Sequence, residues 1–206
     1  MRKAFFLLFL LSSVITFAQK SLYSDLNPYG EWYTDESRDA AYESSVSKLY
    51  KTWICLGSFS NVSSMTFKPN GIGKVVHSKN EYISEAGMYV TISVETPFTY
   101  TKNKDKITIK NNPLKSIVSV IPVETNISQR KKDILKNVKN KYTVEIHKVQ
   151  TRRRNYSLYR IDDYMVLYEE YIRGVSSQTL KFVSEEYQAQ AEARKAAQTK
   201  AENKEE

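Results

Sequence analysis

The fold turns on one stretch, Met65-Thr66-Phe67-Lys68-Pro69-Asn70-Gly71-Ile72-Gly73. From Val62 to Lys68 the side chains alternate, with Ser63, Met65 and Phe67 on one face and Val62, Ser64 and Thr66 on the other. Alternation of period two marks a strand with one face buried. Pro69-Asn70-Gly71 then breaks the run with three residue types that suit tight turns. Ile72 to His77 reads as the returning strand. The stretch therefore predicts an antiparallel hairpin.

The same two-residue rhythm recurs outward in both directions. Upstream, Thr52 to Ser58 carries Trp53, Ile54 and Leu56. Downstream, Tyr89 to Glu95 alternates. Phe98 to Lys102 and Lys106 to Lys110 pair as a second hairpin across Asn103-Lys104-Asp105. Leu114 to Val123 is apolar and β-branched, and Tyr142 to Gln150 sets Tyr142, Val144 and Ile146 against Thr143, Glu145 and His147. Asn155 to Ile161 and Tyr164 to Glu170 form a third hairpin across Asp162-Asp163, and Thr179 to Val183 adds a last strand. The class is mainly β, and about eight to nine strands joined by hairpins suit an antiparallel barrel, which leaves no open sheet edge.

Two segments keep a helical period instead. Asp35 caps a short N-terminal helix from Glu36 to about Tyr50, with Tyr42, Val46, Leu49 and Tyr50 on one face. Ser128 caps an inserted basic helix to about Asn140, whose narrow stripe of Ile134, Leu135 and Val138 is surrounded by Arg130, Lys131, Lys132, Lys136 and Lys139. Residues 184–206 hold almost no large apolar side chain after Tyr187 and read as a polar tail, helical by propensity or disordered.

The chain opens with Met-Arg-Lys, an apolar run from Ala4 to Leu11 and a small-x-small site at Thr16-Phe17-Ala18. That is the grammar of a signal peptide over residues 1–18. Export to the periplasm or the outside is the expectation. Cleavage would remove Arg2 and Lys3 from a chain of formal charge +8. Residues 19–34 read as a leader and residues 35–183 as one barrel domain. No later segment has the length and apolarity of a membrane helix. One cysteine, Cys55, excludes an internal disulfide framework, so packing must carry the fold.

With the strands in order, the chain resembles the bacterial lipocalin-like domain families, small exported barrels common in Bacteroidetes. The stretch Met65 to Gly73 is similar to their T-F-x-x-D/N-G-x-G hairpin. Phe98-Thr99-Tyr100 before Asp105-Lys106-Ile107-Thr108-Ile109 is similar to their F-x-Y and D-K-I-T-I pair, and Tyr156 to Leu167 to their closing hairpin. Lys51-Thr52-Trp53 stands where the lipocalin Gly-x-Trp is expected. The likeness spans Leu49 to Tyr171. It implies a lipocalin-like barrel. The strand count, the Trp53 strand and the Phe67 hairpin point to a small apolar or amphipathic ligand, with Trp53, Phe67, Tyr89, Tyr100, Tyr142 and Tyr156 as candidate lining residues, since a tyrosine offers an apolar ring and a polar tip. The alternative is an envelope protein–protein module whose barrel is filled by its own side chains.

Catalytic and metal chemistry find little material. His77 and His147 are the only histidines, each in a strand pattern on the predicted polar face. A nucleophile needs a base and an orienting group beside it, and Cys55 lies between apolar Ile54 and Leu56, as an inert buried thiol does. No His, Cys or carboxylate spacing matches a metal motif. The expectation is a non-enzyme without cofactor or metal. Two basic clusters, Arg130-Lys131-Lys132 and Arg152-Arg153-Arg154, are candidates for contact with an anionic surface. Export argues against nucleic acid as the partner. A small lipophilic ligand or an envelope protein fits better.

Overall fold

A computed structural model describes residues 34–56, 62–169 and 178–202. The expected signal peptide and most of the leader lie outside the described residues. Among these residues nine strands make one antiparallel sheet: β1 (Thr52–Cys55), β2 (Val62–Lys68), β3 (Ile72–Ile83), β4 (Met88–Asn103), β5 (Lys106–Asn111), β6 (Ile117–Pro122), β7 (Arg153–Ile161), β8 (Tyr164–Glu169) and β9 (Gln178–Ser184). Eight of them close on themselves in the order β1-β2-β3-β4-β5-β7-β8-β9, and β6 pairs with β4 outside that ring. The protein is a lipocalin-like β-barrel with one extra strand. Among the described residues three α-helices accompany it: α1 (Asp35–Glu43), α2 (Gln129–His147) and α3 (Glu185–Glu202).

The decisive hairpin forms as read. Phe67 pairs with Gly73 and Lys68 with Ile72 across the turn. Asn70 and Gly71 take φ of 65° and 67°, the left-handed region that these two residue types enter at least cost. Gly73 has a second job. Its partner on β4 is Phe98, and a Cβ at Gly73 would lie 2.4 Å from the Phe98 ring and 2.5 Å from the Thr66 carbonyl oxygen. The missing side chain is the space the ring occupies.

Several expectations need correction. Thr34, not Asp35, caps α1, its Oγ1 accepting from Ser37 N–H at 3.1 Å. The helix stops at Glu43, and a separate 3-10 turn, Val46–Leu49, follows. Tyr42, Val46 and Tyr50 stay exposed, while Ala41 and Leu49 are buried. The two strands read over 89–95 and 98–102 are one strand. Pro97 lies inside that strand and keeps its place in the ladder opposite Lys74. Its carbonyl accepts from Asn112 N–H at 2.9 Å, where β4 passes from pairing with β6 to pairing with β5. In an antiparallel strand the N and C=O of one residue point the same way, so the absent N–H falls at that changeover.

The largest correction concerns Tyr142 to Gln150. The basic helix does not end at Asn140; it runs through His147, so Tyr142, Val144 and Ile146 are helical. Ser128 caps it as expected. Three alternating apolar residues fit a strand, but Ile134, Val138, Tyr142 and Ile146 also recur at four-residue spacing, and that longer stripe prevails because it has a sheet to cover.

Two cores result. The barrel core gathers Trp53, Phe67, Tyr100, Leu158, Met165 and Phe182 among others. Its lower end is closed by the chain that precedes β1: Leu49 is fully buried, and Trp53 Nε1–H donates to the Leu49 carbonyl at 3.1 Å. Lys51, two residues before Trp53, places its ammonium 5.0 Å from the Trp53 ring centroid. The second core lies on the prolongation of β3 and β4 beyond the barrel. There Val90, Ile92 and Val94 of β4 and Val118 of β6 face Leu135 of α2. Direct partners share a face, so the inward face of β4 runs unbroken from one core to the next. At the junction Thr96 and Ser116, both buried, share a hydroxyl hydrogen bond of 2.8 Å.

The tail forms α3. Ser184 Oγ accepts from Tyr187 N–H, Glu185 and Glu186 sit in the first turn, and the Tyr187 ring packs 5.4 Å from that of Tyr164. Acidic residues there complement the helix dipole.

Candidate functional site

On four barrel strands, β3, β5, β7 and β8, the inward face is apolar and then turns polar at one end. Ile107 and Ile109 lead to Asn111 on β5, Leu158 and Tyr156 to Arg154 on β7, and Leu167 to Glu169 on β8. His77 extends the same face of β3 beyond Val75. Alternation places all four polar groups at the end opposite Trp53. A cavity of about 60 Å³ lies among them, lined by His77, Asn111, Arg154 and Tyr156 over Ile109 and Leu180. Arg154 donates to Glu169 at 3.3 Å. Burial disfavours the charge of Arg154, but Tyr156 and Glu169 beside it more than offset this, and its pKa rises. Burial, reinforced by Glu169, pushes the Tyr156 hydroxyl up to about 12, so it stays protonated at neutral pH. Asn111 Oδ1 is buried with no hydrogen-bond partner among the described residues.

That cavity is far smaller than the roughly 300–1,000 Å³ usual for pockets that enclose an organic ligand. Among the described residues, side chains occupy the interior beneath it. Trp53, Phe67, Phe182, Ile107, Leu158 and Met165 each expose under 2% of their surface. A filled barrel of eight strands is a packed core.

Larger concavities lie outside. One, of about 540 Å³, runs between the β3–β4 turn and α2. There Tyr142 O–H donates to Glu81 at 2.7 Å and accepts from Lys79 Nζ at 2.8 Å, and Lys79 also lies over the Tyr142 ring. Hydrogen bonds from Lys79 and Tyr142 hold the Glu81 carboxyl below its ordinary range, and the bond to Glu81 raises Lys79. The other groove, of about 570 Å³, opens at the fork where β5 and β6 diverge along β4. Its floor includes Ile72 and Pro97, and its rim carries Lys68, Lys110, Lys115 and Asn112.

Of the six residues expected to line a ligand cavity, Trp53, Phe67, Tyr100 and Tyr156 meet in the barrel core. Tyr89 does not. It is 62% exposed on the outer face of β4, its ring 5.0 Å from that of Tyr82. Tyr142 does not either, because it belongs to α2 and the second core. The basic clusters also divide. Arg130 and Lys132 are exposed on α2, and Lys131 pairs with Glu124 at 3.2 Å. Arg152 and Arg153 are exposed on the barrel wall, whereas Arg154 turns inward to Glu169. The histidines differ from expectation as well. His77 faces the small cavity, and His147, at the end of α2, lies 3.3 Å from the Ser116 carbonyl.

Sequence reasoning missed the fork groove altogether. Lys68 is far from Lys110 and Lys115 in the chain, and only the register from β2 through β3 and β4 to β5 brings it to them. The chain matches no family model, and no curated protein matches it significantly. No group of three or more His, Cys, Asp or Glu able to hold a metal occurs among the described residues. None of their helices is long and apolar enough to cross a membrane.

Proposed function

We propose that this chain is an exported, non-enzymatic binding protein of the lipocalin-like kind that engages its partner from its outer surface. One observation carries the reading: among the described residues the barrel interior is filled by side chains, from Trp53 and Leu49 at the closed end to Leu180 beneath the small polar cavity. A lipophile in that interior would have to displace packed aromatic groups, each of which contributes several kcal/mol. The outer wall, by contrast, already holds the two large grooves. Export follows from the amino-terminal pattern in the sequence.

The test uses residues 19–206 with Trp32→Phe, which leaves Trp53 as the only tryptophan. Organic extraction of the purified protein should yield no stoichiometric lipid. Titration with a fluorescent fatty acid should leave Trp53 emission unchanged. Saturable quenching of Trp53, or a lipid carried at one per chain, would overturn the surface reading in favour of an interior ligand.

A further inference from the structure

We infer that the fork groove binds an acidic sugar, a uronate unit within a glycan, which deepens the surface-binding reading and rests on it. The groove has the three kinds of wall such a ring needs. Its volume of about 570 Å³ lies within the roughly 300–1,000 Å³ of ligand pockets. Its apolar floor, with Ile72 49% exposed beside Pro97, suits the C–H face of a pyranose. Thr99, Asn112 and Thr151 supply hydroxyl and amide groups for the ring hydroxyls. Lys68, Lys110 and Lys115 supply cations for the carboxylate, and such charge-assisted bonds are the strong ones.

The charges of this wall are otherwise unexplained. Lys74 is neutralised by Glu95 at 2.7 Å. Lys68, Lys110 and Lys115 are all exposed and make no ion pair among the described residues. Lys110 pairs directly with Arg153 across β5 and β7, so two cations stand side by side on one outward face. Like charges placed so destabilise a sheet, and Arg152, whose carbonyl accepts from Asn111 N–H, adds a third nearby. A bound carboxylate removes that repulsion. The groove also discriminates against nucleic acid. Its one aromatic residue, Phe98, is 3% exposed, so no ring is free to stack on a base.

Isothermal titration of residues 19–206 with trigalacturonate should show saturable binding, and its methyl ester, of the same shape without the charge, should not bind. Lys110→Gln with Lys115→Gln should weaken binding about tenfold, the scale of one lost charge-assisted bond. Lys132→Gln with Lys136→Gln, which removes equal charge from α2, should change it by less than roughly twofold, the scale of screened long-range charge. In the unmutated protein the amide resonances of Thr99, Asn112 and Thr151 should shift on titration, a readout independent of any variant. Equal weakening by the two double variants would reduce the effect to net charge and overturn the site. So would binding of hexaglutamate, anionic vesicles or inorganic phosphate as tight as that of trigalacturonate, or no binding at all. The surface reading fails separately, by quenching of Trp53.

Discussion

The barrel and the lobe built on its prolonged hairpin share a strand but are stabilised differently. In the barrel every strand has a neighbour on each side, so the wall closes around the core. In the lobe three strands, β3, β4 and β6, present the same inner face, and a single helix covers it. The barrel buries Trp53, Phe67 and Phe182 almost completely. Of the α2 stripe only Leu135 is buried, with Ile134, Val138, Tyr142 and Ile146 partly so. Closure thus gives depth for large aromatics, while one amphipathic helix gives a shallower core that leans on polar ties at its rim. The lobe should be the region that opens first, since local stability follows buried apolar contact.

Removing the anchor of the deeper core should have the largest effect. Trp53→Ala takes away a fully buried ring and its bond to Leu49, and should cost about 3–5 kcal/mol in urea unfolding. A loss under about 1 kcal/mol would mean the barrel is not the main core. Leu135→Ala should cost about 2–4 kcal/mol and should do so locally. Hydrogen exchange should speed up in α2 and in residues 81–92 while β7 and β8 stay protected. Uniform acceleration would show that the two cores melt as one.

Gly73→Ala probes the strand pairing near the turn. Its Cβ meets both a ring and a backbone carbonyl, and shifting them should cost about 1–3 kcal/mol. An unchanged urea midpoint would show that the Phe98 ring moves freely.

At neutral pH the smallest effects are expected from titration, and the two regions should part at opposite ends of the scale. Glu81 has a lowered pKa, so its contribution is present above the unfolded value, about 4.3, and is lost as pH falls through the lower folded value. The tie between α2 and β3 should therefore loosen in acid. Tyr156 is raised to about 12, so its contribution is present below the unfolded value, about 10, and fades as pH climbs toward the folded one. Absorbance at the phenolate band should show late-titrating tyrosine, Tyr100 being raised to about 12 as well by burial. Tyr156→Phe should remove one late phenol. If no tyrosine titrates late, the barrel end is open to water.

Much of this architecture was legible residue by residue. The Met65 to Gly73 hairpin, the β7–β8 hairpin across Asp162-Asp163 and the Ser128 cap depend on neighbours in the chain. Turn chemistry and alternation report such contacts directly. Asp162 accepts from Arg160 and from Tyr164 N–H within its own turn, so nothing remote was needed to read it. The candidate site was far less legible. Tyr89 and Tyr100 lie on one strand and look alike in sequence, yet one is outside and one inside, because parity along β4 is set by pairing with β3 and not by residue type.

A β-rich domain, the turns between its hairpins and an amphipathic helix carrying positive charge can all be read from chain neighbours. These follow from short-range alternation and from the conformations that Pro, Asn and Gly permit. That β4 serves two cores, that α2 continues through His147 to cover the second, and that Arg154 turns inward while Arg153 joins Lys110 on the outer wall emerge from packing across the fold. Those outcomes depend on which surfaces meet across the sheet. Burial against a distant strand outweighs the modest local preference of any single residue.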